Sequence, residues 1–392
     1  MLASNTMNQI KEVLDTGIKK GEVAGANMLV IKDGQEDFYH ADGHADIASN
    51  RPIQRDTIFR LYSMTKPITA ASVMLLLESG QIDLFDPVCQ YIPGFIGQKV
   101  HASGRLVPVV RDVTIKDLLS MTSGLVYPND ENLAGEATRE LFQEIDQKLL
   151  GKKPLSTLEI ANRLGQCPLA FQPGDSWQYG ASADVLGALV EVVSGQRFGR
   201  FLEENIFEPL GMHDTGFWIP QANRNRLATA YEMINKNDQL PYEGNHLGII
   251  NAMDRQPAFE SGGAGLVSTI DDYARFAQML MNRGSLDNVQ ILKPKTVDYL
   301  RSSTLHPAQQ ENFDLWYTLS GHSYGNLMRV MTDYSQAGLL GSNGEYGWDG
   351  WLGAYFCNCP EDHLTILIMM QKKDAGTTSL TRKLRNIVHA GL

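Results

Sequence analysis

Cysteine is scarce in this chain, and the four present, Cys89, Cys167, Cys357 and Cys359, are too scattered across 392 residues to build a disulfide framework. Buried thiols in a reducing compartment are expected. Long hydrophobic runs are missing too. Nothing approaches the roughly 18 consecutive apolar residues of a membrane span, and the opening M-L-A-S-N-T-M-N-Q-I-K-E-V-L-D is too polar for a signal peptide. A soluble, cytoplasmic protein with no membrane partner is expected. Positive charge is in deficit, with 34 Lys and Arg against 45 Asp and Glu, a net charge of −11 and no concentrated basic stripe. That balance argues against nucleic acid as a partner. Internal repeats and low-complexity tracts are absent as well.

What is there is an ordinary globular composition, 43% hydrophobic and 20% charged. One core is insufficient at this length, so two lobes are expected, or one domain inserted into another. Asn5–Lys20 has helical spacing through Ile10, Val13, Leu14 and Ile18, and Asp33-Gly34 between Ala26–Ile31 and Glu36–Ala41 is a strong hairpin signal. Further helices are predicted at Thr114–Met121, with a Thr114/Asp117 capping pattern, at Ser182–Ser194, from the Thr269 cap to Met281, and at Ser379–His389. Ser261-Gly-Gly-Ala-Gly265 reads as a turn into a strand, and Tyr324–Met331, Tyr346–Phe356 and Leu364–Met370 read as strands. Strands at both ends with helices between predict a discontinuous α/β domain, residues 1–60 and 257–392, holding a mainly helical domain, 61–256. The active site is expected at their interface.

The chain is organised around Leu61–Gly80, L-Y-S-M-T-K-P-I-T-A-A-S-V-M-L-L-L-E-S-G, which is apolar on nearly every face after Pro67 and therefore predicts a buried helix. Pro67 fits near its first turn and Gly80 ends it. Ser63 and Lys66, three apart, share one face at its head. A serine needs a neighbouring base, and a lysine whose ammonium is disfavoured by burial can be neutral enough to serve. Helix-start N–H groups suit a developing oxyanion. S-x-x-K arises by chance on the order of once in a chain this long, so its place at the head of the most apolar helix is what singles it out.

Two further stretches stand out. Trp177-Gln-Tyr179-Gly-Ala-Ser182 precedes a helix, and a phenol beside an ammonium would keep its charge at lower pH and shuttle protons; the alternative is a ring packed at a helix start. Gly344-Glu-Tyr-Gly347-Trp348-Asp-Gly350-Trp351-Leu-Gly353 alternates glycine with aromatics, as a strand edge approached by a substrate would, or a bulge. Other signals lead nowhere. Gly180-Ala-Ser182-Ala-Asp184 lacks the second glycine of a G-x-S-x-G elbow, Gly263-Ala-Gly265 has no third glycine for a phosphate loop, and His40 and His44 suggest no third ligand. Neither metal nor cofactor is expected.

Together these pieces resemble the serine β-lactamase and penicillin-binding-protein superfamily, most closely class C β-lactamases and family VIII carboxylesterases. Ser63-Met-Thr-Lys66 is similar to the family's first motif, Tyr179 stands at its catalytic tyrosine, and Trp348-Asp-Gly350 sits where lactamases carry K-T-G and the esterases W-G-G. Gly80–Val88, Tyr91-Ile-Pro93, Thr114–Gly124 and Phe207–Met212 extend the likeness over nearly the whole chain. The resemblance implies an antiparallel sheet flanked by helices, with an inserted helical domain. It further implies that Ser63 attacks a carbonyl, that Lys66 and Tyr179 carry its proton to the leaving group, and that water releases an acyl-enzyme. The Ser63 and Trp351 N–H groups would form the oxyanion hole, and Tyr127, Trp348, Asp349 and Gly350 would contact substrate.

Departures point to the substrate. Trp348 and Asp349 replace the lysine and threonine that help hold a drug's carboxylate, and Asp349, read as an anion, would repel one; Ala181 replaces the second motif's asparagine. A serine carboxylesterase for small esters of short to medium acyl chains is therefore expected, with Trp177, Trp316 and Trp351 joining Tyr127 in an apolar pocket. The alternatives are a β-lactamase, D-amino-acid peptidase or acyltransferase on the same fold, or an idle scaffold. The sequence leaves the oligomeric state open.

Overall fold

The computed structural model describes residues 1–102, 104–128, 132–234 and 238–392. Helix α1 (Ser4–Lys19) leads into the hairpin of β1 (Gly25–Lys32) and β2 (Gln35–Asp46), whose turn places Asp33 and Gly34 at φ +52° and +77°. Positive φ at both central residues marks the type I′ hairpin turn, which Asp-Gly tolerates. β3 (Arg51–Pro52) follows. The later strands are β4 (His322–Gly325), β5 (Met328–Met331), β6 (Tyr346–Asp349), β7 (Tyr355–Cys359) and β8 (Leu364–Met370). They join the first three in one antiparallel sheet of order β4-β5-β6-β7-β8-β1-β2-β3. The two chain ends thus meet at β8 and β1, in register from Ala26 opposite Met370 to Lys32 opposite Leu364.

Two expected strands are each a hairpin. Tyr324–Met331 is broken by Asn326 and Leu327, at φ +48° and +64°, and Tyr346–Phe356 by the turn at Gly350–Ala354. Leucine has no preference for a left-handed turn. Tertiary contact holds it there, because Leu327 is fully buried and its N–H donates to the Leu119 carbonyl at 2.8 Å.

Both faces of the central strands are apolar because both are covered. Met28, Val30, Ile366 and Ile368 face α1 and the C-terminal helix, while Leu29, Leu367 and Met369 face the larger core. That core contains α2 (Thr65–Glu78), α3 (Ile115–Leu119), α4 (Leu133–Lys148), α5 (Thr157–Gln166), α6 (Ser182–Ser194) and α7 (Ile270–Met281). The C-terminal helix is α8 (Ser379–Ala390). Thr114 and Asp117 make the expected reciprocal cap on α3, and Thr269 caps α7. The four cysteines are free thiols, with Cys357 and Cys359 buried on one face of β7. No helix among the described residues is long and apolar enough to cross a membrane. His40 lies against Asp15, and His44 against Asn50.

Candidate active site

Ser63 sits in a single 3-10 turn, Tyr62–Met64, that runs straight into α2. Tyr62 before it is held at φ +44°, a strained conformation for a residue with a Cβ. One helical turn on, Lys66 is completely buried, and its Nζ lies 3.2 Å from Ser63 Oγ, 3.0 Å from the Tyr127 hydroxyl and 2.9 Å from the Gly263 carbonyl. Burial brings this lysine down to about 7, against the opposing pull of Asp184 and Asp349. The three contacts match either protonation state. An ammonium donates to all three. A neutral amine donates to Tyr127 and Gly263 and turns its lone pair to the Ser63 O–H, which is the geometry of a general base.

Tyr179, in the loop ahead of α6, reaches the same point from another element. Its oxygen accepts the Trp348 indole N–H at 3.0 Å and is hydrogen-bonded to Ser63, and Lys66 Nζ stands 4.6 Å from its ring centroid. A hydroxyl and an amine three residues apart and a phenol more than a hundred residues on therefore converge. One expectation is corrected: burial pushes the Tyr179 phenol well above its ordinary value, so it carries a proton rather than a charge, because the lysine beside it is itself poised to be neutral.

Two supports were not read from the sequence. Asp184, buried on α6, accepts from the Ser261 hydroxyl and from the Gly263 N–H at 3.1 Å, and so fixes the 261–265 turn whose carbonyl receives Lys66. An acid among Val185, Leu186 and Leu189 on a buried helix face was the available signal. The second is α4, whose Arg139, Phe142, Gln143 and Asp146, on one helical face, form a wall of the cavity.

The cavity over Ser63 is about 680 Å³ and lined largely by apolar surface. β6 closes it from the sheet side. At Gly350 an added Cβ would fall 2.1 Å from the Leu61 carbonyl, so only glycine lets the end of β6 lie against the chain entering Ser63. Trp351 follows, and no backbone carbonyl in the loops and turns described takes its N–H. Its indole is gripped by Tyr62 at 4.9 Å, by His246 stacked at 4.1 Å and by Asp374, which accepts Nε1–H at 2.6 Å.

A family model for beta-lactamase matches residues 10–389, nearly the whole chain. The chain belongs to the beta-lactamase family. Within it, an uncharacterized protein of Mycobacterium tuberculosis is 32% identical, covering 92% of this chain and 88% of its own. Esterase EstB of Burkholderia gladioli is 30% identical, covering 99% and 96%. Among solved structures, that of EstCE1, "a hydrolase with promiscuous acyltransferase activity", is 26% identical with a TM-score of 0.82, covering 98% and 99%. The chain is a serine hydrolase of the superfamily that holds serine β-lactamases and penicillin-binding proteins, with their fold.

Against this beta-lactamase-family frame, three pocket expectations change. Trp348 lines the cavity but is only 2% exposed, and its indole N–H is given to Tyr179 rather than to the open space. Trp177 is not in the cavity wall; it lies one layer back, packed on Phe313 and Tyr324, because the loop carrying Trp316 covers it. Asp349 lines the cavity but is paired with Arg329 at 3.3 Å, and burial raises its carboxyl, so it is not the free repelling anion expected. Tyr127 lines the cavity as expected and also bonds Lys66. Trp316 and Trp351 line it as well.

Proposed function

We propose that this protein cleaves carboxylic esters of short to medium acyl chains through an acyl-enzyme on Ser63. The observation that carries the reading is the 3.2 Å contact between Ser63 Oγ and a buried Lys66 poised near neutrality, under an apolar cavity. Lys66 takes the Ser63 proton as the oxygen attacks the ester carbonyl. The Ser63 and Trp351 N–H groups hold the oxyanion; losing one such donor costs about 10² to 10³ in rate. As the tetrahedral intermediate collapses, the protonated Tyr179 gives its proton to the leaving alkoxide and recovers one from Lys66. Water, activated in the reverse sense, then releases the acid.

Neutral esters suit the site better than β-lactams because Trp348 and Asp349 offer no free cation to a substrate carboxylate at the end of β6. The esterase activity in the name of EstB supports the choice. EstCE1, whose title names acyltransferase activity, supports a second reading in which an alcohol replaces water in the last step. Comparing turnover of p-nitrophenyl butyrate, with and without added alcohol, against nitrocefin tests both. Ester cleavage well above nitrocefin cleavage is expected; the opposite order would overturn the esterase reading, and inactivity on both would leave an idle scaffold.

A further inference from the structure

Asp349 faces the cavity, yet it is tightly held there. Arg329 on β5, whose side chain is 4% exposed, donates Nη1–H to its Oδ1 at 3.3 Å. Thr377, immediately before the N-cap of α8, lies beside the carboxylate with a buried hydroxyl that makes no hydrogen bond. Gly376, at φ +52°, wraps it so closely that a Cβ there would come 3.1 Å from Oδ2. Arg329 is fixed in turn by the Phe356 carbonyl at 3.4 Å and by the Tyr355 ring, 4.7 Å below its guanidinium. Among the described residues Asp349 is its only carboxylate at ion-pair distance. A cation buried this deeply requires an anion; Glu345 acts on it from beyond ion-pair distance and is itself paired with Arg385, so the anion in direct contact is the one in the substrate cavity wall.

We propose that Arg329, Thr377 and the Gly376 turn form a built anion cradle opening on the substrate cavity, that Asp349 fills it from within, and that this internal carboxylate excludes carboxylate-bearing substrates by occupying their place. The exclusion works by occupancy. An external carboxylate finds the guanidinium already bonded, and would lie against a second carboxylate if it approached. Asp349 is thus a specificity-determining residue, and neutrality of the substrate follows from it. This deepens the proposed ester-cleaving reading and rests on that reading for its kinetic readout alone.

The test is Asp349→Ala, which vacates the cradle, beside Asp349→Asn, which keeps it filled without charge. In sodium acetate, compared with sodium chloride at equal ionic strength, D349A should show a saturable rise in Tm on the order of 2 °C, or in soluble yield if it folds poorly. The wild type and D349N should show none. In the kinetic arm, the kcat/KM ratio of p-nitrophenyl hemisuccinate to p-nitrophenyl butyrate, or of 4-carboxyphenyl butyrate to phenyl butyrate, should rise about tenfold or more in D349A. A D349A chain that responds no better to acetate than to chloride would overturn the cradle, and acetate binding with neither ratio changed would overturn the exclusion. Because acetate binding needs no catalysis, acetate binding by D349A beside a wild type that cleaves no ester would sink the esterase reading and leave the cradle standing.

Discussion

At the scale of single residues, reactivity turns on the proton held between Ser63, Lys66 and Tyr179. Because burial brings Lys66 to about 7, kcat/KM for a neutral ester should climb as pH rises through that value and level off above about 8. A flat profile between pH 5.5 and 8 would remove Lys66 as the base. The same shift has a stability consequence of definite sign. Between about 7 and 10.5 the unfolded chain holds a proton on Lys66 that the folded chain lacks, so folding loses stability as pH falls through this window and no further below it. Relative to Lys66→Met, wild-type Tm should therefore fall from pH 10 to 7 and then run parallel. Trp348→Phe, which removes one donor from the Tyr179 oxygen and little volume, should lower kcat about tenfold with KM nearly unchanged.

Among elements, the decisive one is the end of β6. Gly350→Ala places a methyl 2.1 Å from the Leu61 carbonyl and must push Trp351 away from Ser63. Loss of about 10² or more in kcat is expected, with Tm lowered; near-normal kcat in a folded G350A chain would mean that the Trp351 N–H plays no part. Much at this scale was legible. α2 announces itself by Gly80, α7 by the cap at Thr269, α6 by the helical spacing of Val185, Leu186, Leu189 and Val190, and the β1–β2 turn by Asp-Gly. α4 was not, because its buried residues, Leu141, Phe142 and Ile145, are diluted among Glu136, Glu140, Glu144 and Lys148. Leu327 hid the β4–β5 turn since its left-handed backbone is imposed by packing under α3, which no local propensity encodes.

For the molecule as a whole, the site exists because one sheet joins both chain ends while the segment between them supplies α2, α4 and the Tyr179 loop. Spacing alone placed Ser63 beside Lys66; the arrival of Tyr179 rested on resemblance to a family, as did the role of Trp351. Asp349 was legible as a departure but not as a pair, since Arg329 is 20 residues distant and joins it only through strand pairing. The central claim is that this assembly makes Ser63 a nucleophile, and rapid acid quench after mixing with p-nitrophenyl butyrate, followed by peptide mass spectrometry, tests it most directly. One butyryl group is expected on the peptide containing Ser63, absent in Ser63→Ala. Steady ester cleavage with no adduct there, or an adduct that persists in Ser63→Ala, would contradict it.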